Sequence, residues 1–253
     1  MNEFGVDTAY ANYLTQTAVD NLSFGIFRLT DLGYVGSGTS AYYNKSNLPD
    51  AACLPNMQIV QNSNKPAGMY FFSHAWDAAS AAFEANYCCD QLDAWGFTPQ
   101  LGVFMDFERL GPSGRIGGFE NLIYINGGTP PASLMQTIFT SWCTTITSRG
   151  YKPGLYMNAD PINATTDAWL QAARFNSAIG SPYFWVAEWY VTSPSWDCDI
   201  WQYDDDENYY DIQVDYDRCQ NDRIFAGSTG IPIWLKLYLA QRGDKNGKCT
   251  ILL

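Results

Sequence analysis

The residues of this chain best suited to chemistry end one short apolar run, Leu101 to Glu108, with the sequence LGVFMDFE. A run this short and this apolar reads as a strand buried on both faces. Side chains alternate along a strand, so Asp106 and Glu108 share a face and Phe107 takes the other. Two neighbouring carboxyl groups can divide the work of acid catalysis, one kept protonated to donate and one kept charged. Cleavage of a glycosidic bond needs such a pair. Barrel enzymes hold such groups at the C-terminal ends of their strands. On a solvated strand end the same Asp-x-Glu would do nothing, so the surrounding elements decide.

Those elements alternate in type over the first part of the chain. Glu3 to Asp7 is a short apolar piece ending in an acid, and Asn12 to Asn21 suits a short helix. Phe24 to Thr30 reads as a second strand followed by Asp31, then by a loop rich in Gly and Ser. Asn44 to Asn62 is weakly helical, with Pro49 and Pro55 interrupting it. Ala67 to Ser73 is a third strand. Asp77 suits the N-cap of a helix that Gly96 stops, with Phe83, Tyr87, Cys88, Leu92 and Trp95 on one face. After the Asp106/Glu108 strand, Arg109 to Pro131 is long and glycine-rich, a length that suits a functional rim. Ser133 is the expected cap of a helix running to Gly150. Pro153 to Met157 is a fifth strand and Thr166 to Arg174 a helix. Tyr183 to Trp189, Asp199 to Tyr203 and Asp211 to Tyr216 then read as three strands with little room for helices. The pattern predicts an α/β fold, a flattened TIM-like β/α barrel of about eight strands with few helices in its C-terminal part. Residues 1–225 are expected to form it. Residues 226–253, with the linker-like Gly227 to Gly230 and the apolar stretch IPIWLKLYLA, are too short for a domain.

Composition narrows the partners. The net charge of −12 argues against nucleic acid, which needs Lys and Arg along the contact. It also removes any electrostatic help in approaching an anionic surface, so recognition has to be short-range. Tyr and Trp are plentiful enough to provide sugar platforms beyond the needs of a core. The seven cysteines, two of them adjacent at Cys88 and Cys89, have no framework spacing and no Cys-x-x-Cys. They read as buried thiols of a protein made in a reducing compartment. No signal peptide and no apolar run long enough to span a membrane is visible at the sequence level.

Acids recur at strand ends: Asp7, Asp31 just past the second strand, Asp106 with Glu108, and Asp215. In a closed barrel they would ring one mouth. In order along the chain stand Gly5-Val6-Asp7, Phe27-Arg28-Leu29-Thr30-Asp31, Gly68-Met69-Tyr70-Phe71-Phe72 and Met105-Asp106-Phe107-Glu108. Gly150-Tyr151-Lys152-Pro153, Leu155-Tyr156, Phe184-Trp185-Val186-Ala187, Trp201-Gln202-Tyr203 and Val214-Asp215 follow. On these pieces, from about Phe4 to Arg218, the chain resembles the glycoside hydrolase family 25 lysozymes. These are the Chalaropsis-type muramidases frequent among phage endolysins. Their order and spacing carry the likeness, since no single motif is specific.

The resemblance implies cleavage of the β-1,4 bond between N-acetylmuramic acid and N-acetylglucosamine in bacterial peptidoglycan. Glu108 matches the general acid, and Asp106 the acid that assists it or orients the substrate N-acetyl group. Asp7 and Asp215 match the other two groove carboxylates. Asp31, Tyr70, Tyr156, Trp185, Trp201 and Gln202 are the implied substrate-binding set. No cofactor or metal is implied. The enzyme would be made in the bacterial host cytoplasm and act on the wall after release, or ride on a virion, with the tail as a possible wall-binding or virion attachment. Two departures stand out. Thr8 replaces the usual Ser after the first Asp, and Phe71 replaces the usual His after the third-strand Tyr, which would remove a polar contact from a subsite.

Other readings are weaker on the same residues. A non-catalytic carbohydrate-binding barrel would keep the aromatics without needing the acids. A metal-dependent hydrolase could use Asp204, Asp205, Asp206 and Glu207, but a charge run of this kind reads as a solvated turn, and the single histidine, His74, excludes a histidine pair. His74 itself reads as structural. No Gly-x-Ser-x-Gly elbow, Gly-x-Gly-x-x-Gly or P-loop occurs.

Overall fold

A computed structural model describes residues 3–30, 34–35, 42–43, 49–111, 115–158, 162, 164–220 and 222–225. Asp31 and the tail 226–253 lie outside them. In chain order the strands are β1 (Phe4–Thr8), β2 (Phe24–Arg28), the short pair β3 (Tyr34–Val35) and β4 (Tyr42–Tyr43), β5 (Ala67–Phe72) and β6 (Gly102–Asp106). A second short pair, β7 (Leu110–Gly111) and β8 (Arg115–Ile116), precedes β9 (Pro153–Asn158), β10 (Tyr183–Ala187), β11 (Ile200–Tyr209) and β12 (Ile212–Cys219). The helices are α1 (Gln16–Asp20), α2 (Cys53–Asn62), α3 (Ala78–Trp95), α4 (Gly118–Asn126), α5 (Ala132–Ser148) and α6 (Ala164–Ala173).

Eight strands close into one barrel in the order β1-β12-β11-β10-β9-β6-β5-β2. Six neighbouring pairs are parallel, and β12 runs antiparallel to both β1 and β11. The fold is therefore the predicted α/β barrel, with no α-helix after α6 among the described residues. Because β12 runs backwards, its N-terminal half lies at the mouth where the parallel strands end, and Asp215 pairs in register with Asp7. The last strand also continues to Cys219, past the Tyr216 expected from the sequence.

Strand alternation divides the apolar residues in two. Phe24, Ile26, Phe104, Tyr156, Tyr183 and Trp185 point into the barrel and fill its lower half. Val6, Phe27, Met69, Phe71, Val103, Met105, Phe107 and Phe184 point outward against the helices. Both faces being buried explains why the strands read as continuous apolar runs. The interior rings need glycine opposite them: a Cβ on Gly154 would meet the Phe104 ring at 2.3 Å, and one on Gly5 the Phe24 ring at 2.4 Å. The helix α3 starts at the predicted Asp77, whose carboxylate accepts from the Ser80 amide, and ends on Gly96 in the left-handed conformation. The six cysteines among the described residues are buried thiols. Among the described residues no helix is long and apolar enough to cross a membrane.

Three local expectations are corrected. The stretch Arg109 to Pro131 is not an open loop: it carries the β7–β8 pair and α4. Ser133 lies inside the first turn of α5, and Pro131 holds the cap position without a side-chain hydrogen bond. Asp204 to Glu207 do not form a turn; they belong to β11, whose register shifts twice against β12 between Gln202 and Glu207. The actual turn is Tyr210-Asp211, both at positive φ, with the Asn208 side chain accepting from the Asp211 amide. That is the two-residue hairpin geometry, built here without the Asn-Gly that usually signals it.

The far end of the barrel is tied by one buried acid. Asp199 accepts from both Arg174 and Arg223 at 3.0 Å and from the Phe184 amide at 2.8 Å. Arg223 donates in turn to the carbonyls of Arg174, Ser181 and Pro182. Removing the acid leaves two guanidinium groups without their shared counter-charge. Asp199→Ala is expected to destabilise the fold by about 3–5 kcal/mol, measured by urea unfolding; a loss below about 1 kcal/mol, the worth of an exposed pair, would contradict this account.

Candidate active site

The cleft opens at the C-terminal mouth of the barrel. Its walls are Asp7 from β1, Arg28 from β2, Tyr70 and Phe72 from β5, and Asp106 with Glu108 from and just past β6. Tyr156 of β9, Trp185 of β10, Gln202 of β11 and Asp215 of β12 complete it. The space between these walls, open mouth included, is about 400 Å³. Each barrel strand contributes at least one side chain.

The four acids predicted as catalytic all face this cleft. Asp106 is buried, and its Oδ1 has no hydrogen-bond partner among the described residues. Glu108 is half-buried just beyond the strand. Burial pushes its carboxyl up to about 8, and the Asp215 carboxylate adds to the rise. Burial also raises Asp106 well above the ordinary range, with the Glu108 charge next and Arg28 opposing. Desolvation and like charge thus act together on the pair.

Gln202 joins the other two acids. Its Nε2 donates to Asp7 Oδ2 at 2.8 Å and to Asp215 Oδ2 at 3.3 Å. Its Oε1 accepts from Tyr156 Oη at 3.1 Å and from Trp189 Nε1 at 3.3 Å. Trp185 forms the floor, in contact with the rings of Tyr70, Phe104 and Tyr156.

One site residue expected from the sequence is not in the cleft. Trp201 points outward into the helix-side core, its Nε1 donating to the Glu188 carbonyl at 2.8 Å. Strand alternation requires this, since Gln202 beside it points inward. Asp31 falls outside the described residues. Phe71 also faces outward, its ring against Tyr87, so it alters the helix-side core and removes nothing from a subsite. Thr8 donates to the Gln213 carbonyl at 3.0 Å, bracing β1 against β12. His74 is buried away from the cleft. Its ring bonds the Ile116 carbonyl at 2.7 Å, and burial lowers its pKa to about 4, which keeps it neutral.

Three residues of the site were missed from the sequence. Arg28 and Phe72 line the cleft, and Arg28 is held by Asp50 at 2.7 Å. Asp217 lies fully buried beneath Asp7, taking the Trp185 Nε1 hydrogen at 2.9 Å. Asp217 is diagonal to Asp7 across the β1–β12 ladder, where Asp7 faces Asp215 and Gly5 faces Asp217. Desolvation raises both Asp7 and Asp217 well above the usual carboxylate range, and each interacts with the other. Asp217 Oδ2 has no hydrogen-bond partner among the described residues, and burial with like charge favours a proton on this pair. The signal for all three was available: Arg28 shares parity with Phe24 and Ile26, Phe72 with Tyr70, and Asp217 with Asp215.

Raised pKa values also fix how stability depends on pH. Asp7, Asp106, Glu108 and Asp217 bind protons more tightly folded than unfolded, so the folded state carries more protons above about pH 4. Stability is then expected to fall as pH rises from about 4 through about 8, the Glu108 value, because the folded form must give up protons it holds well. Unfolding midpoints across that range test the sign, which is opposite to that of salt-bridged carboxylates.

The position of Glu108 depends on a close backbone approach. The Gly117 amide donates to Arg109 O at 2.7 Å and the Phe119 amide to Glu108 O at 3.1 Å. A Cβ on Gly117 would stand 2.2 Å from the Glu108 carbonyl oxygen. Gly117→Ala is expected to shift Glu108 and cut turnover about tenfold or more, since misplacing a reacting group by about 1 Å can cost a hundredfold. Steady-state kinetics on a variant that still folds would decide; normal turnover would show that Glu108 tolerates the shift.

Among the described residues no group of three or more His, Cys, Asp or Glu is arranged to hold a metal ion. The arrangement suits acid-assisted displacement: a carboxyl with a raised pKa, further acids around it, and aromatic walls.

No curated protein matches the chain. Solved structures share its fold at low identity. The modular autolysin LytC from Streptococcus pneumoniae superposes with a TM-score of 0.60 at 14% identity, over 86% of this chain and 46% of LytC. The chain thus spans about half the length of that protein. The catalytic domain of endolysin ply40, from bacteriophage P40 of Listeria monocytogenes, gives 0.56 at 17% identity, over 89% and 96% of the two chains. GHIP, a glycosyl hydrolase 25 of Streptococcus pneumoniae, gives 0.56 at 14%, over 89% and 92%. At the level of sequence, the profile of glycosyl hydrolases family 25 matches residues 41–212, more than half the chain, including Asp106, Glu108 and Gln202 but ending short of Asp7 and Asp215. With the barrel, the acid-ringed cleft and this match together, the chain belongs to glycosyl hydrolases family 25.

Proposed function

We propose that this enzyme is a peptidoglycan hydrolase of the endolysin type. It cleaves the β-1,4 bond between N-acetylmuramic acid and N-acetylglucosamine, with Glu108 as general acid. The observation that carries the reading is the Glu108 carboxyl, raised to about 8 inside a cleft shared with Asp106 and Asp215. At neutral pH it holds the proton that a departing sugar oxygen needs. Asp215 supplies the negative field that favours the positive charge developing on the sugar ring. Asp106, with a buried oxygen that lacks a partner among the described residues, is suited to accept from the substrate's N-acetyl N–H. That contact is compatible with either retaining route, a carboxylate nucleophile or the substrate's own N-acetyl oxygen. Support for a wall substrate comes from the family and from neighbours of the same fold: an endolysin, and an autolysin also solved with a synthetic peptidoglycan ligand.

Digestion of purified peptidoglycan followed by mass analysis of the fragments is the test. Fragments ending in reducing muramic acid are expected. Fragments ending in reducing glucosamine, or release of peptide with intact glycan, would replace this assignment with another wall hydrolase.

A further inference from the structure

A second hollow adjoins the cleft and shares Asp7, Tyr70 and Asp215 with it. Its remaining wall is built from Thr8, Ala9, Tyr10, Asn12, Gln213 and Val214. Thr8 Oγ1 and Asn12 Nδ2 both donate to the Gln213 carbonyl, at 3.0 and 3.2 Å, which holds this wall to the end of the barrel. Its aromatic member is Tyr10, and the way that ring is held is unusual.

Tyr10 has φ of 61°, the left-handed region that a bulky non-glycine residue avoids. Three contacts hold it there. Asp50 Oδ2 accepts from the Tyr10 amide at 2.7 Å. The same carboxylate takes Arg28 Nε at 2.7 Å and Arg28 NH2 at 3.2 Å. The Arg28 guanidinium then lies over the Tyr10 ring, 3.9 Å from its centroid. Arg28 is 5% exposed, whereas Tyr10 is 46% exposed. One face of the ring is therefore covered by a fixed cation, and much of the rest stands open beside the hollow. Shielding the Arg28–Asp50 pair alone would not need a strained, half-open tyrosine. Strained residues of this kind gather at ligand clamps.

We propose that Tyr10 is the stacking platform of an additional sugar subsite, binding a ring of the glycan strand further along than the bond cleaved at Glu108. A pyranose ring offers an apolar C–H face that suits an aromatic surface, and the amide and hydroxyl groups around Tyr10 suit its ring substituents. The open face of the Tyr10 ring is uncharged and acts at short range, as a protein of net charge −12 needs when its substrate is anionic. The proposal rests on the reading of the chain as a glycan-strand hydrolase.

The test compares kcat/KM on peptide-free strands of alternating N-acetylglucosamine and N-acetylmuramic acid, one short set of four sugars and one set of at least ten. The ratio of long to short is expected to fall by about tenfold in Tyr10→Ala, the scale of one aromatic contact. It is expected to be kept in Tyr10→Trp, which restores the platform. Equal losses on both lengths, or no loss on either, would overturn the subsite and leave Tyr10 as a cover for Arg28. If the wild-type enzyme cleaves neither set, the glycan-strand reading itself fails, and the subsite with it.

Discussion

Glu108→Gln is expected to lower wall hydrolysis by about a hundredfold or more, the usual worth of a positioned general acid. The amide keeps the shape of the side chain and can still donate a hydrogen bond, but it has no transferable proton. Binding to peptidoglycan should survive, so pelleting with the insoluble wall and release of muramic acid reducing ends should part company. The pH profile of the wild-type enzyme supplies a second reading of the same group. A general acid works only while protonated, so activity should persist below and fall as pH rises through about 8. That limb should be absent from the residual activity of the glutamine variant. Stability should move the other way. The native cleft penalises a charged Glu108, so a neutral amide there is expected to raise the unfolding midpoint at pH values above about 8. A variant that binds wall and still cleaves at the wild-type rate would remove Glu108 from the chemistry.

Asp215→Asn is the second large effect. Asp215 stands beside Glu108 and raises it, and shares the Gln202 amide with Asp7. Its substitution has two consequences of known sign. Negative charge is lost from the cleft where positive charge develops, which should lower the maximal rate by about tenfold to a hundredfold, below or at the scale seen for loss of one preorganised electrostatic contact. Removing a like charge also lets Glu108 ionise more easily, so the alkaline limb should shift to lower pH. Asp7→Asn should be milder, because burial and like charge already favour a proton on the Asp7–Asp217 pair and an amide resembles a protonated acid. Rates and pH profiles of the two variants side by side would test the ordering. An Asp215 variant with an unmoved alkaline limb would break the link to Glu108.

Much of this site was legible before any fold was known. The short apolar runs set eight strands, and strand alternation aimed Asp106 and Glu108 together and Phe107 away, as observed. Asp7 and Asp215 were legible as acids near strand ends. Several features were not, each because it depends on pairing between distant strands. The reversed direction of β12 is set by its hydrogen bonds to β1 and β11, and local composition carries no sign of it. The β11 bulges hid the strand character of Asp204 to Glu207. Trp201 matched a family piece, yet its neighbour Gln202 took the inward position, and two adjacent strand residues cannot share a face. Asp217 was within reach of the alternation rule, but its partnership with Asp7 was not, since only closure of the barrel brings β1 against β12. The raised carboxyl pKa values come from the same closure. Residue type supplies an acid of ordinary strength, and burial among other acids, which exists only in the tertiary structure, turns it into one that keeps its proton at neutral pH.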